Sequence, residues 1–368
     1  MSDVVVVGGG IVGCACAYEL AKQGARVTLL EYGKPGMQAT NAAAGMLAPL
    51  IEADGAGPML RFGARALREY ADGVAEVERA CGFDVEYRPH GILKAMFDEA
   101  GVDRLRRRFA WQREQGFPIE WLDGDLCREL EPRLSRRVAA GVFSAAEGSV
   151  SNQLLALGLE RAAVALGADI RSRTPVTGFR TLTGRVTAVR AGGDEFACDA
   201  VVLAAGARSG QIAAKLGARV PVRPVRGQMI ALGGMSAPIR HIVWGPDGYL
   251  VPRANGLVFA GATVEDVGFR RRTTKSGLRA LRSMAAALVP QLTAAALHFE
   301  WAGLRPGTPD ALPIIGPLPE CANVAAATGH YRNGILLGPL TGRVIARGVL
   351  EGDWSGVPPE FAPSRFGG

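Results

Sequence analysis

Three glycines and one acid carry the first legible chemistry of this chain. Gly8-x-Gly10-x-x-Gly13 follows the apolar run Val4 to Val7, and Glu31 ends a second apolar run further on. A pyrophosphate-bearing dinucleotide requires this set. Gly8 allows a tight turn, Gly10 lets the backbone approach the phosphates where a Cβ would collide, and Gly13 lets the next helix lie close on its strand. The N–H groups of Ile11 and Val12 stand at the positive end of that helix and suit an anion. Glu31 can accept hydrogen bonds from both ribose hydroxyls, and it would repel a 2′-phosphate, which argues against NADP. Other reactive residue types form no such pattern. The histidines at 90, 241, 298 and 330 pair with no nucleophile motif and show no metal spacing, so no metal is expected. The cysteines at 14, 16, 81, 127, 198 and 321 include no CxxC pair. Cys14 and Cys16 lie two apart on one expected helix and face different ways, which reads as helix packing in a reducing compartment.

The elements that must position this chemistry follow from periodicity. Val4 to Val7 reads as a strand buried on both faces, Ile11 to Lys22 as a helix stopped by Gly24, and Arg26 to Leu30 as a second strand. Pro58 to Cys81 has helical periodicity, and Val85 to Phe97 alternates like two strands about a turn at Pro89-His90-Gly91. Helices are expected over Glu99 to Gln115, Asp125 to Leu130, Ser151 to Leu166, Thr273 to Leu288 and Gly334 to Leu350. Short strands are expected at Ile170 to Ser172, Val176 to Arg180 and Arg185 to Val189, with a buried one at Ala200 to Ala205 running into Gly206. Val220 to Leu232, Gly248 to Pro252, Leu257 to Ala260, Leu297 to Trp301 and Val324 to Ala327 complete the strands. A strand–glycine–helix unit at both ends implies two domains that exchange chain. The expected fold is therefore α/β: a Rossmann-like cofactor domain from 1–85, 146–219 and 301–368, interleaved with an α+β domain on an antiparallel sheet from 86–145 and 220–300.

Composition narrows the class. The chain has 368 residues, 48% of them hydrophobic and 21% charged, enough for a large core. The net charge is +7, nearly all of it arginine, and Arg104 to Arg108 (RLRRR) and Arg270 to Arg272 (RRR) lack interleaved aromatics. They read as solvated faces, so no nucleic-acid partner is expected. No apolar stretch reaches the ~18 residues of a membrane span, and no basic region precedes the first apolar run as in a signal peptide. A cytoplasmic protein is expected, and a homo-oligomer is compatible with it.

Three further stretches are specific. Ala42 to Pro49 reads AAAGMLAP, Trp301 to Asp310 reads WAGLRPGTPD, and Thr328 to Leu337 reads TGHYRNGILL. In this order they resemble the D-amino-acid-oxidase superfamily of FAD enzymes, most of all the glycine oxidases of the thiamine pathway, from Val4 to about Leu350. The resemblance implies non-covalent FAD, since no cysteine lies in the stretches that should face the flavin. It implies that the loop holding Thr40, Ala43, Ala44, Gly45 and Met46 passes the pyrophosphate and flavin. The turn holding His330, Arg332, Asn333, Gly334, Ile335 and Leu336 would pass the pyrimidine end of the isoalloxazine, and Val176, Ala205 and Gly206 complete the cofactor set. Arg305 matches the family arginine that grips the substrate carboxylate, Tyr249 a tyrosine on the same carboxylate, and Arg332 a second arginine at the active-site mouth. Arg305, among glycines and prolines, is expected in a loop, and Leu50 to Pro58 in a loop covering the site. The implied reaction is oxidation of a small carboxylated amine, glycine or an N-substituted glycine, with dioxygen as acceptor. A D-amino-acid or hydroxyproline dehydrogenase with another acceptor, or a non-catalytic flavin-binding subunit, are the alternatives.

Overall fold

A computed structural model describes residues 2–235 and 239–367. Six strands form one sheet in the order Ile314–Pro317, Val324–Thr328, Ala200–Leu203, Asp3–Val7, Arg26–Leu30, Asp169–Arg171. All neighbours are parallel except the edge pair Ile314–Pro317 with Val324–Thr328. The run of four valines is explained by what covers the sheet. Val4 and Val6 pack under the helices Ile11–Lys22, Asn152–Ala165 and Gly334–Glu351. Val5 and Val7 face the other way, toward Val186, Val189 and Ala191 of a three-stranded antiparallel sheet (Val176–Leu182, Arg185–Ala191, Asp194–Ala197). None of the four exceeds 3% exposure, and each contributes roughly 2 kcal/mol by leaving water.

Eight strands form the second large sheet, in the order Ala296–Gly307, Arg223–Gly233, Val258–Gly261, Gly248–Pro252, Ile242–Gly245, Ile92–Met96, Ala140–Ser144, Ile119–Asp123. It is mixed rather than antiparallel throughout, because Ile242–Gly245 pairs parallel with Ile92–Met96. In-register neighbours point to one face of a sheet. One such row reads Lys94, Trp244, Tyr249, Gly261, Met229, Trp301 across six strands.

Several expectations are corrected. Pro58 to Cys81 is two helices, Pro58–Arg68 and Tyr70–Cys81, broken at Glu69. Of Val85 to Phe97 only Ile92–Met96 is a strand, and Arg88 makes a single bridge to Ser149. Leu50 to Pro58 does not begin as a loop, since Pro49–Glu52 is a helical turn. Arg305 is not in a loop. The strand Ala296–Gly307 runs through it, across the boundary expected after residue 300, and pairs with Arg223–Gly233 down to Gly307. It is the edge strand of its sheet, where Pro306 can turn its missing N–H outward without breaking the ladder. No helix among the described residues is long and apolar enough to cross a membrane.

Candidate functional site

The parallel strands end at a cleft of about 1090 Å³. Of the residues singled out by sequence, Gly8, Gly10, Ile11, Val12, Glu31, Thr40, Ala43, Val176, Ala205, Gly206, His330, Arg332, Gly334 and Ile335 line it. The three glycines are glycine for different reasons. Gly8 has φ +106°, and a Cβ there would lie 2.5 Å from the Ala204 carbonyl oxygen. A Cβ on Gly13 would lie 1.8 Å from the Gly8 carbonyl oxygen. These two are required by the polypeptide itself. Gly10 is not. Its φ is −73°, open to any residue, and a Cβ there would have only Thr40 Oγ1 nearby, at 3.4 Å. Glycine at 10 therefore leaves room for something other than protein, on the cleft wall at the start of a helix. A dinucleotide pyrophosphate fits that place.

The rest of the cradle is preformed. Thr40 Oγ1 accepts the N–H of Ile11 at 2.9 Å. Glu31 Oε2 accepts the N–H of Gly9 at 2.7 Å and Oε1 that of Gly33 at 2.8 Å, so the carboxylate is held in one orientation with lone pairs to spare. His330 is structural: its ring is buried, Nε2 lies 3.0 Å from Thr341 Oγ1, and burial lowers its pKa to about 4. Gly13 and Leu336 do not line this cleft, and Leu336, on the helix Gly334–Glu351, belongs to the core. None of the six cysteines lines the cleft.

A smaller chamber of about 80 Å³ adjoins the cleft, and Ala43, Leu304, Tyr331, Arg332 and Ile335 are walls of both. Ala44, Gly45, Met46, Asn333, Tyr249 and Arg305 line the chamber. Arg305 leans across its own sheet. A Cβ on Gly227 would come within 2.4 Å of both terminal guanidinium nitrogens. Its Nη1 donates to the Thr263 carbonyl at 3.0 Å, which fixes one edge of the guanidinium. Tyr249 is buried, with its hydroxyl 3.7 Å from Met229 Sδ. Burial lifts its pKa, against the nearby Arg305 and Arg332, and keeps the phenol a neutral donor. Met229 and Gly227, on the strand that pairs with that of Arg305, complete that wall.

One lining residue, Glu52, is not singled out by the sequence. Glu52 lines the chamber and pairs with Arg332 at 2.7 Å. Arg332 lies 5.4 Å from the Trp244 ring centroid, and Lys94 lies 5.6 Å from it. Burial pushes the Glu52 carboxyl up, opposed by Arg332, Lys94 and Arg108. Burial pushes the Lys94 ammonium down to about 8. Lys94 had a legible signal, a lone lysine inside the apolar run Ile92–Met96. Glu52 had none beyond its place in a stretch read as a loop. The short helix that carries it is capped by Glu147, which accepts the N–H groups of Leu50 at 2.6 Å and Ile51 at 3.1 Å.

Comparison with known proteins agrees with this geometry. Residues 3–347 match the model of the DAO family, described as FAD dependent oxidoreductase. The glycine oxidase of Geobacillus kaustophilus is 35% identical over 94% of this chain and 92% of its own. That of Bacillus subtilis is 31% identical over 95% of this chain and 93% of its own. The bifunctional protein ThiO/ThiG of Synechocystis is 36% identical over 99% of this chain but 54% of its own, so the chain spans about half the length of that relative. Among solved structures, the glycine oxidase of Geobacillus kaustophilus superposes with a TM-score of 0.95 at 32% identity, covering 100% of both chains. An iminodiacetate oxidase from Chelativorans superposes with a TM-score of 0.90 at 28% identity, covering 98% of each.

Proposed function

The chain belongs to the DAO family of FAD-dependent oxidoreductases, and from that premise we propose that it oxidises glycine or an N-substituted glycine at Cα. The observation that carries this reading is the shared wall: the chamber lined by Arg305 and Tyr249 has lining residues in common with the cleft that fits a dinucleotide. Segments 1–85, 146–219 and 301–368 are read as the cofactor-binding part, and 86–145 with 220–300 as the part that shapes the substrate chamber.

Arg305 takes the substrate carboxylate. A planar guanidinium offers two parallel N–H donors, and the carbonyl of Thr263 occupies one edge, leaving the rest of the fork to the substrate. The neutral Tyr249 hydroxyl donates to the same carboxylate. Two anchors on one group fix Cα within the chamber, and alignment of this kind is where most of the rate comes from. The cradle around Gly10 and Glu31 would hold FAD non-covalently, and the cofactor would supply a hydride acceptor that dioxygen can reoxidise, with hydrogen peroxide as the product. The resulting imine is hydrolysed to glyoxylate and ammonia, or to a primary amine when the substrate carried an N-substituent. Met46 and the alanines of the Ala42–Gly45 loop crowd the chamber, so a side chain on Cα meets protein. Glu52 and Arg332 give the same chamber a polar stretch of wall, toward which a substituent on nitrogen is read as pointing.

Product analysis tests the reading. Aerobic turnover of sarcosine should give glyoxylate, methylamine and hydrogen peroxide in equal amounts by mass spectrometry and a peroxidase-coupled assay. Glyoxylate without peroxide, with electrons passed only to a quinone or dye, would favour the dehydrogenase reading instead.

A further inference from the structure

The arginine run Arg270 to Arg272 and the residues before it take no part in the chemistry above. They form the outer half of a loop, 263–274, between the strand Val258–Gly261 and the helix Lys275–Leu288. The base of this loop is pinned. Arg226 and Gln228, both buried on the strand Arg223–Gly233, hold its two ends together. Gln228 Nε2 donates to Glu265 at 2.6 Å, and Gln228 Oε1 accepts the N–H of Thr274 at 2.7 Å. Arg226 pairs with Glu265 and donates to the Arg272 carbonyl at 2.9 Å.

The tip lands elsewhere. Phe269 and Arg271 are walls of the dinucleotide cleft, although the loop springs from the other sheet. Arg271 donates to the Gln38 side chain, two residues before Thr40. The Arg208 guanidinium carbon lies 4.8 Å from the Phe269 ring centroid and 5.3 Å from that of Tyr32. Tyr32 directly follows Glu31. These two large rings are 38% and 43% exposed, beside the acid suited to a ribose. Aromatic rings and an arginine plane on a nucleotide cleft form a stacking platform for a base.

We propose that loop 263–274 is a strap over the adenosine half of FAD. Phe269, Arg208 and Tyr32 hold the adenine, and Arg271 sets a cation by the adenylate phosphate. A loop pinned at its base and held at its tip by the side chains of Gln38 and Arg208 can admit the cofactor and then close on it. The strap acts on the adenylate part alone, so flavin mononucleotide, which lacks that part, does not engage it. The inference rests on FAD binding and is independent of which amine is oxidised.

The test strips the flavin and titrates the full chain with FAD or with flavin mononucleotide, following flavin fluorescence. Phe269→Ala and Arg208→Gln should each raise the Kd for FAD about tenfold, the size of one lost base–aromatic stack, with the Kd for flavin mononucleotide unchanged. Phe269→Trp should restore FAD affinity. A second readout needs no variant. Trypsin should cut the unliganded protein at Arg270 to Arg272, and FAD should slow that cut at least about tenfold while flavin mononucleotide does not. An unchanged Kd for FAD in both variants, equal weakening of both flavins, or cleavage insensitive to FAD would each overturn the strap.

Discussion

Arg305 lies flat on its sheet because Gly227 has no side chain. A methyl group at 227 would fall within 2.4 Å of the guanidinium, well inside contact distance, so the arginine would have to lift away from Thr263. The two positions should therefore fail in different ways. Arg305→Ala removes a charge-assisted grip and should lower kcat/KM by about 100-fold, or ~3 kcal/mol, with FAD content intact. Arg305→Lys should recover part of that. Gly227→Ala should keep the charge but misplace it, raising KM more than it lowers kcat, as steady-state kinetics on sarcosine would show. Unchanged kinetics in Arg305→Ala would remove the residue from the site. Gly10 makes a complementary case. The polypeptide leaves space at that Cβ, so Gly10→Val should fold with a normal circular dichroism spectrum yet purify colourless and take up no FAD. A yellow Gly10→Val protein would show that the phosphates lie elsewhere.

The short helix Pro49–Glu52 owes its place to the buried Glu147, and this makes its stability depend on pH. Burial pushes the Glu147 carboxyl up to about 7, against the N–H groups it accepts; in the unfolded chain it titrates near 4.3. Between those values the folded state holds more protons than the unfolded one. The contribution of this group is therefore fully present below about pH 4 and is lost as pH rises through 7. Glu147→Gln cannot ionise and keeps one acceptor oxygen. It should match the native protein near pH 4 and exceed it at pH 8 by at most about 4 kcal/mol. Thermal unfolding at pH 5 and 8 would check this, and a difference independent of pH would contradict it. Elements like this one were the least legible in the sequence. The strand–turn–helix from Val4 to Lys22 was plain because it combines a four-valine run with glycines at fixed offsets. Ala140–Ser144, Ile119–Asp123 and Ile242–Gly245 were missed because each is four or five residues long and takes its stability from neighbours distant in the chain. Around Arg305 the sequence reads as a loop, because Gly303, Pro306 and Gly307 mimic turn chemistry. Gly303 is there because a Cβ would lie 2.3 Å from that of Ala42, and Pro306 is tolerated at a sheet edge. The Glu52–Arg332 pair was invisible because it joins parts of the chain that only the folded molecule brings together.

At the scale of the molecule, two sheets divide the work. The parallel sheet ends in a cleft built around helix and strand termini, and the mixed sheet lines the chamber with Tyr249 and Met229 from the row that runs from Lys94 to Trp301. Residues such as Leu304, Tyr331 and Arg332 face both spaces, which is what hydride transfer between a bound amine and a bound flavin needs. On the proposed reading the chamber's shape sets specificity, with Arg305 and Tyr249 as anchors for one carboxylate and the alanines and Met46 against Cα. One crowded methyl group is worth ~1–3 kcal/mol, so discrimination of ten- to a few hundred-fold is expected. The most direct measurement is anaerobic reduction of the yellow protein, followed by stopped-flow absorbance at the flavin band, with glycine, sarcosine, N-ethylglycine, D-alanine and D-proline. Glycine or its N-alkyl derivatives should bleach the flavin at least about tenfold faster than either Cα-substituted amino acid, and admission of air should restore the colour. Faster bleaching by D-alanine or D-proline than by every glycine derivative would contradict the account.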